Sequence, residues 1–184
     1  MANVLVPLAK GCEELEAVTV IDLLRRAAIN VTTASLTEEP VIASRGVVLL
    51  ADMTLDDALL HEYDMVVLPG GQPGADNLER DERVAELLDK MAESGKFTAA
   101  ICAAPKVLAA KGLLSGKHAT SFPGVLENMQ LNDVSIEDQA VVVDGKIITS
   151  RGPGTAMDFA LTLIEQLAGT DKRKEVEAGL QRVS

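Results

Sequence analysis

Among the side chains able to form and break covalent bonds, Cys102 stands in the most informative place. It closes a short apolar run, Phe97–Ile101, with the length and flanks of a buried strand. Ala103 and Ala104 follow, then Pro105, then an apolar-periodic segment from Val107 to Ala110. Proline fits the first turn of a helix, where its missing amide hydrogen is no loss. Cys102 is therefore expected where a strand stops and a helix starts, the geometry of a nucleophile elbow. There the side chain is pushed out at the sheet edge, and the helix amides favour negative charge. A thiol so placed should lose its proton more easily, and the thiolate is the reactive form. The competing reading is a buried cysteine acting as a small hydrophobe.

A cysteine nucleophile needs a base or a stabilising partner. The chain has two histidines. His61, beside Glu62, reads as surface, and His118, after Gly116-Lys117, reads as exposed loop, so a Cys-His pair is unsupported. Carboxylates are better candidates. Glu13, Glu14 and Glu16 open the helix after the first strand, at the same sheet edge as Cys102. A carboxyl pressed against the thiol would have a raised pKa, through burial and the neighbouring thiolate. Once protonated it could donate a hydrogen bond to the sulfur and later move a proton. Spacing does not choose among the three, and solvated helix-start acids remain the alternative. The backbone amides of Gly71 and Ala103 could form an oxyanion hole, unless Gly70-Gly71 is only a tight turn. Arg25, Arg26 and Arg45 could hold an anion or make surface ion pairs. Cys12 is a candidate second redox thiol, subject to the ~7 Å limit on Cα separation for a disulfide.

The elements that must position these groups follow from periodicity. Val4–Leu8 reads as a strand, and Gly11 as a turn. Leu15, Val18, Ile21 and Leu24 give the next helix an expected buried stripe, ending near Arg25, Arg26 and Ala27. Val31–Leu36 reads as the second strand. Val41–Ser44 and Val47–Ala51 flank Arg45-Gly46 as a small ribbon, and Asp52 or Thr54 could cap a short helix over Leu55–Leu60. Met65–Leu68 is a buried strand running into Pro69-Gly70-Gly71, where glycines allow close backbone approach. A helical turn over Gly74–Leu78 and an amphipathic helix with Val84, Leu87, Leu88 and Met91 precede the Cys102 strand. Residues 115–139 yield only loops with a short strand and a helical turn. Asp144-Gly145 between Ala140–Val143 and Lys146–Thr149 is a hairpin signal. Thr155–Ala168 reads as a helix with Met157, Leu161 and Ile164 on one face, and Asp171 as the cap of a last helix to about Arg182. Alternating strands and helices predict one open, mostly parallel sheet with helices on both faces. Ligands in such sheets bind beyond the carboxyl ends of the strands, where Gly11, Gly70-Gly71 and Cys102 fall.

At 184 residues the chain is most simply a single domain, residues 1–184, with room for a full core. It is 47% hydrophobic but 2% aromatic, so the core must be aliphatic. The net charge of -11 argues against nucleic acid as a partner, because phosphate contacts need clustered Lys and Arg. Few cysteines suit a reducing compartment, and no segment reads as a signal peptide or a membrane span. A cytoplasmic location without membrane attachment is expected.

The segments AKGCEELEAVTVIDLLRRA, SRGV, YDMVVLPGG, AAICAAPKVL, TSFPG and TSRGPGTAMDFAL together resemble the ThiJ/PfpI superfamily, its DJ-one-type branch, and within it the bacterial ThiJ/YajL-like proteins. The resemblance spans nearly the whole chain. It implies a flavodoxin-like three-layer α/β sandwich with a C-terminal β-hairpin and helices, a homodimer, and no cofactor or metal. It makes Cys102 the reactive, readily oxidised cysteine and Glu16 the glutamate touching it. Gly71 and Ala103 become the amide donors, and Arg26 and Arg45 basic residues near the pocket and dimer interface. Implied activities are those of a glutathione-independent glyoxalase or protein deglycase acting on small reactive aldehydes or glycated adducts. The alternative is a non-enzymatic oxidative-stress sensor or a redox-regulated chaperone with unfolded protein clients. Phe122 stands where some relatives carry histidine, which leaves Cys102 without an imidazole. Ala103 stands where protease-type relatives carry histidine, which argues against a peptidase.

Overall fold

A computed structural model describes residues 1–182 of the chain. Its elements, in order, are β1 (Asn3–Leu8), α1 (Glu14–Arg26), β2 (Asn30–Ser35), β3 (Val41–Ile42), β4 (Val48–Leu49), β5 (Met53–Thr54), α2 (Leu55–Ala58), β6 (Met65–Leu68), α3 (Gly74–Arg80), α4 (Glu82–Glu93), β7 (Phe97–Ile101), α5 (Pro105–Ala110), β8 (His118–Ala119), β9 (Ser135–Ile136), β10 (Val141–Asp144), β11 (Ile147–Ser150), α6 (Ala156–Ala168) and α7 (Thr170–Gly179). The main sheet runs β10-β11-β7-β6-β1-β2-β5. Every pairing in it is parallel except the β10–β11 hairpin at one edge.

Strand alternation splits the core into two layers. Val4, Val6 and Leu8 of β1, with Met65, Val67, Ala99, Ile101 and Ile148, join α1 and α6 on one face. Leu5, Val66, Leu68 and Ala100 point the other way, onto residues of α2, α3, α4 and α5. Both faces of the inner strands are thus covered, which is why β6 and β7 read as continuous apolar runs rather than alternating ones. This is a flavodoxin-like arrangement: β1 lies between β2 and β6, so the chain reverses direction across the sheet at the carboxyl ends of β1 and β6.

Three expectations about the helices need correction. On α1 the buried residues are Glu14, Glu16, Ala17, Val20, Leu23 and Leu24, whereas Leu15 and Val18 are about half exposed. The helix carries apolar residues on two sides, and i, i+3 spacing alone picks out the wrong one. On α6 Met157 is exposed, and the buried face is Ala156, Phe159, Ala160, Leu161, Leu163 and Ile164. Asp171 lies in the first turn of α7, with Gly169 at its N-cap. Thr54, not Asp52, caps α2, its hydroxyl accepting from Asp57 N–H. Among the described residues, no helix is long and apolar enough to cross a membrane.

Phe159 is the largest fully buried side chain and sits in the layer that holds α6 on the sheet. Phe159→Ala should lower unfolding free energy by about 3–5 kcal/mol, read from urea denaturation, through lost transfer energy plus a cavity.

Candidate active site

The three acids at the start of α1 have three different tasks. Glu13 is the N-cap: its carboxylate accepts from Glu16 N–H at 2.8 Å, and its own N–H donates to the Gly70 carbonyl at 2.9 Å. Glu14 turns towards the β3–β4 hairpin. It accepts from Ser44 Oγ at 2.9 Å and from the Arg45 amide at 2.8 Å. Burial opposes its charge, but these hydrogen bonds prevail and hold its carboxyl below the ordinary carboxylate range. Glu16 alone points inward and is fully buried.

One Glu16 oxygen, Oε2, accepts from Gly70 N–H at 2.9 Å. The other, Oε1, is buried without a hydrogen-bond partner by ordinary geometry. The Cys102 thiol lies against this carboxyl, close enough for each group to shift the other's titration. Burial pushes Glu16 up to about 7, although the contacts from Cys102 and Gly70 favour its charge.

Cys102 is 8% exposed and directly follows β7. Its φ is 65°, a left-handed conformation that few non-glycine residues adopt. Two backbone bonds hold it there: Cys102 N–H donates to the Ser150 carbonyl at 2.9 Å, and Phe122 N–H donates to the Cys102 carbonyl at 2.8 Å. The N–H groups of Gly71 and Ala103 lie close enough to the sulfur to favour its charge. The strand-to-helix elbow is as expected, but the source of the field is not. α5 has six residues, and the amides at the sulfur come from the two loops.

The expected ease of ionisation is also corrected. Burial pushes the Cys102 thiol up to about 12, and the charge and hydrogen bond of Glu16 add to the rise, against the amides of Gly71 and Ala103. The cause lies in the pairing. Two acids in one dry site cannot both ionise, so the pair keeps a proton between them. A thiolate forms here only when that proton sits on Glu16.

Close backbone contacts fix the loops. A Cβ on Gly70 would lie 2.6 Å from Cys102 Cβ and 2.8 Å from Glu16 Oε2. A Cβ on Gly71, whose φ is 90°, would lie 2.4 Å from Glu13 N. Neither position admits a side chain.

Other candidates fall elsewhere. Cys12 is fully buried in the α1 layer, and burial, then Glu14 and Glu13, push its thiol up to about 12. Arg26 pairs with Asp22 at 3.0 Å at the far end of α1, roughly 15 Å from Glu16 at the helical rise. It is therefore not brought to this chain's own site. Arg25 pairs with Asp52 at 2.9 Å. Arg45 is exposed on the β3–β4 turn, its amide held by Glu14. His61 is exposed, and His118 pairs with Glu137, so neither meets Cys102. Phe122 is half-exposed beside the elbow. Sequence reasoning missed Ser150 and the Phe122 amide as supports of the site, and missed the bond from the Gly70 amide to Glu16. The Gly70-Gly71 pair was visible, but partners that act through backbone atoms leave no side-chain signal.

Known proteins share this arrangement of chain. The crystal structure of Drosophila melanogaster DJ-1beta superposes with a TM-score of 0.95 at 45% identity, covering 100% of this chain and 99% of that one. Protein DJ-1 homolog B of Arabidopsis thaliana is 48% identical over 172 residues, 92% of this chain; the chain spans only 39% of that longer protein. The glutathione-independent glyoxalase DJR-1.2 of Caenorhabditis elegans is 35% identical over 171 residues, 93% of this chain and 90% of that protein. The DJ-1/PfpI family pattern itself runs from residue 2 to residue 166, through every loop that meets at Cys102, and the chain belongs to the DJ-1/PfpI family.

Proposed function

We propose that the protein is a cofactor-free enzyme for reactive carbonyls of the methylglyoxal type, with Cys102 as nucleophile and Glu16 as proton relay. The observation that carries this reading is the meeting at one buried sulfur of a buried carboxyl and two backbone amides. The glyoxalase among the relatives supports the same reaction class.

In this reading the Glu16–Cys102 pair has lost one proton above about pH 7. With the remaining proton on Glu16, the thiolate adds to the aldehyde carbon of the substrate, and the new alkoxide takes that proton to give a hemithioacetal. The amides of Gly71 and Ala103 hold the oxygen as its charge develops. The Glu16 carboxylate then removes the proton from the former aldehyde carbon, giving an enediolate, and returns it to the neighbouring carbon while the hydroxyl proton passes to the neighbouring oxygen. The product is a 2-hydroxy thioester. Water cleaves it, releasing lactate and restoring the thiol, so the net reaction is hydration and internal redox of one substrate. On a hemiaminal adduct the thiolate would displace the amine as the C–N bond breaks, and the Glu16 proton would leave with the amine, giving the same hemithioacetal.

A second reading rests on the same donors. A sulfenate or sulfinate on Cys102 would have its oxygens met by protonated Glu16 and the two amides, which favours peroxide sensing.

The α1 side that was expected to be buried bears on assembly. Leu15 and Val18 are exposed there, and Val47 and Val48 are exposed on the hairpin that Glu14 ties to the same end of the helix. We read this apolar face as the contact with a second copy of the chain.

Lactate formed from methylglyoxal should be abolished by Cys102→Ala; equal rates in both proteins would remove the enzyme reading. Glu16→Gln should retain iodoacetamide labelling of Cys102 while losing lactate formation by about 10²–10⁴-fold, because the amide can donate to sulfur but cannot carry a proton. Glu16 also sets a pH dependence. Its folded value of about 7 lies above the ordinary 4.5, so its contribution to stability is fully present below pH 4.5 and lost as pH rises through 7. Denaturation curves on either side of this window should show wild type losing about 3 kcal/mol, a slope that Glu16→Gln flattens. Leu15→Arg should shift a sedimenting dimer towards monomer, and an unchanged mass would reject the proposed contact.

A further inference from the structure

We propose that the cleft between the β1–α1 loop, the β2–β3 loop and α3 binds a small organic anion, a carboxylate or phosphate carried on an apolar body. The cleft has a volume of about 430 Å³, which falls in the range of ~300–1,000 Å³ usual for small-molecule sites. It lies at the carboxyl ends of β1 and β2, where sheets of this kind take ligands. The reactive sulfur is not among its lining residues.

Its chemistry is two-sided. Leu36, Pro40 and Val41 supply an apolar wall, and Lys10, Arg80 and Arg83 supply cations. Arg83 is already committed, to Asp81 at 2.7 Å, Asp56 at 2.8 Å and the Leu36 carbonyl at 2.9 Å. Lys10 and Arg80 are different. Neither makes an ion pair with a carboxylate of the described residues, although most lysines and arginines of this acidic chain do. Asp76, whose charge Arg80 favours, is already taken by Lys106. The acids lining the cleft are Asp81, held by Arg83, and Glu39 on the exposed rim. A positive spot on a protein of net charge -11 attracts an anion against the general field.

The walls are fixed in advance. Asn77 Nδ2 donates to the Lys10 carbonyl at 2.9 Å, joining α3 to the β1–α1 loop. Gly11 N–H donates to the Ile42 carbonyl at 2.8 Å, joining that loop to β3. A ligand would therefore meet a cleft that need not be ordered on binding.

The test is a titration of the isotopically labelled protein, followed by amide NMR, with benzoate, phenyl phosphate and uncharged benzyl alcohol. Benzoate or phenyl phosphate should shift the amides of Lys10, Thr37, Asn77 and Arg80 saturably, and added salt should weaken the effect. The double variant Lys10→Gln, Arg80→Gln should bind roughly tenfold more weakly or worse. Both residues are exposed, so its melting temperature and Cys102 alkylation rate should match wild type. Equal binding of benzyl alcohol, shifts centred on Gly71 and Cys102 instead, unchanged affinity in the variant, or no saturable shift with either anion would each overturn the proposal.

Discussion

A carboxyl group and a thiol held against each other out of water constrain everything near them. Neither can be removed from the pair without leaving a buried polar group exposed to apolar neighbours, and neither can ionise independently of the other. Glu16 has one oxygen satisfied by Gly70 and one facing no hydrogen-bond partner of ordinary geometry. The sulfur faces the carboxyl on one side and the amides of Gly71 and Ala103 on another. Charge can therefore sit on either atom, and the single proton decides which. On the proposed reading, reactivity belongs to the pair rather than to a cysteine with a shifted pKa.

The scaffold serves that pair through three loops from adjacent strands. β1 leads into the start of α1, β6 into Gly70-Gly71, and β7 into Cys102. Adjacent parallel strands bring three sequence-distant segments within hydrogen-bonding distance, which is the use of a doubly wound sheet. The glutamates at the start of α1 divide the work. One caps the helix, one fastens the neighbouring hairpin, and one is turned into the core. The same run of acids would be solvated on most helices.

Much of this was readable from residue types. The elbow at Cys102 follows from a short aliphatic run ended by small residues and Pro105, and Asp144-Gly145 marks the β10–β11 turn that the structure contains. What escaped has physical reasons. α1 is apolar on two sides, so spacing could not separate the face on the sheet from the one bearing Leu15 and Val18. Residues 115–139 hold only the two-residue strands β8 and β9 and a short helical turn, too brief for any period to register. The direction of the thiol's pKa depends on how much water is excluded, a three-dimensional quantity. The choice of Glu16 over Glu13 and Glu14 came from family resemblance, because N-capping geometry, not sequence spacing, aims each side chain.

The left-handed backbone at residue 102 sets stability and chemistry against each other at one position. For a side-chain-bearing residue that conformation stores on the order of 1–3 kcal/mol, here held by the Ser150 carbonyl and the Phe122 amide. Glycine would occupy the same φ without that load. Thermal robustness alone would thus favour glycine here, at the loss of the sulfur. On the proposed reading, a cysteine at this position trades folding energy for the chemistry of its sulfur.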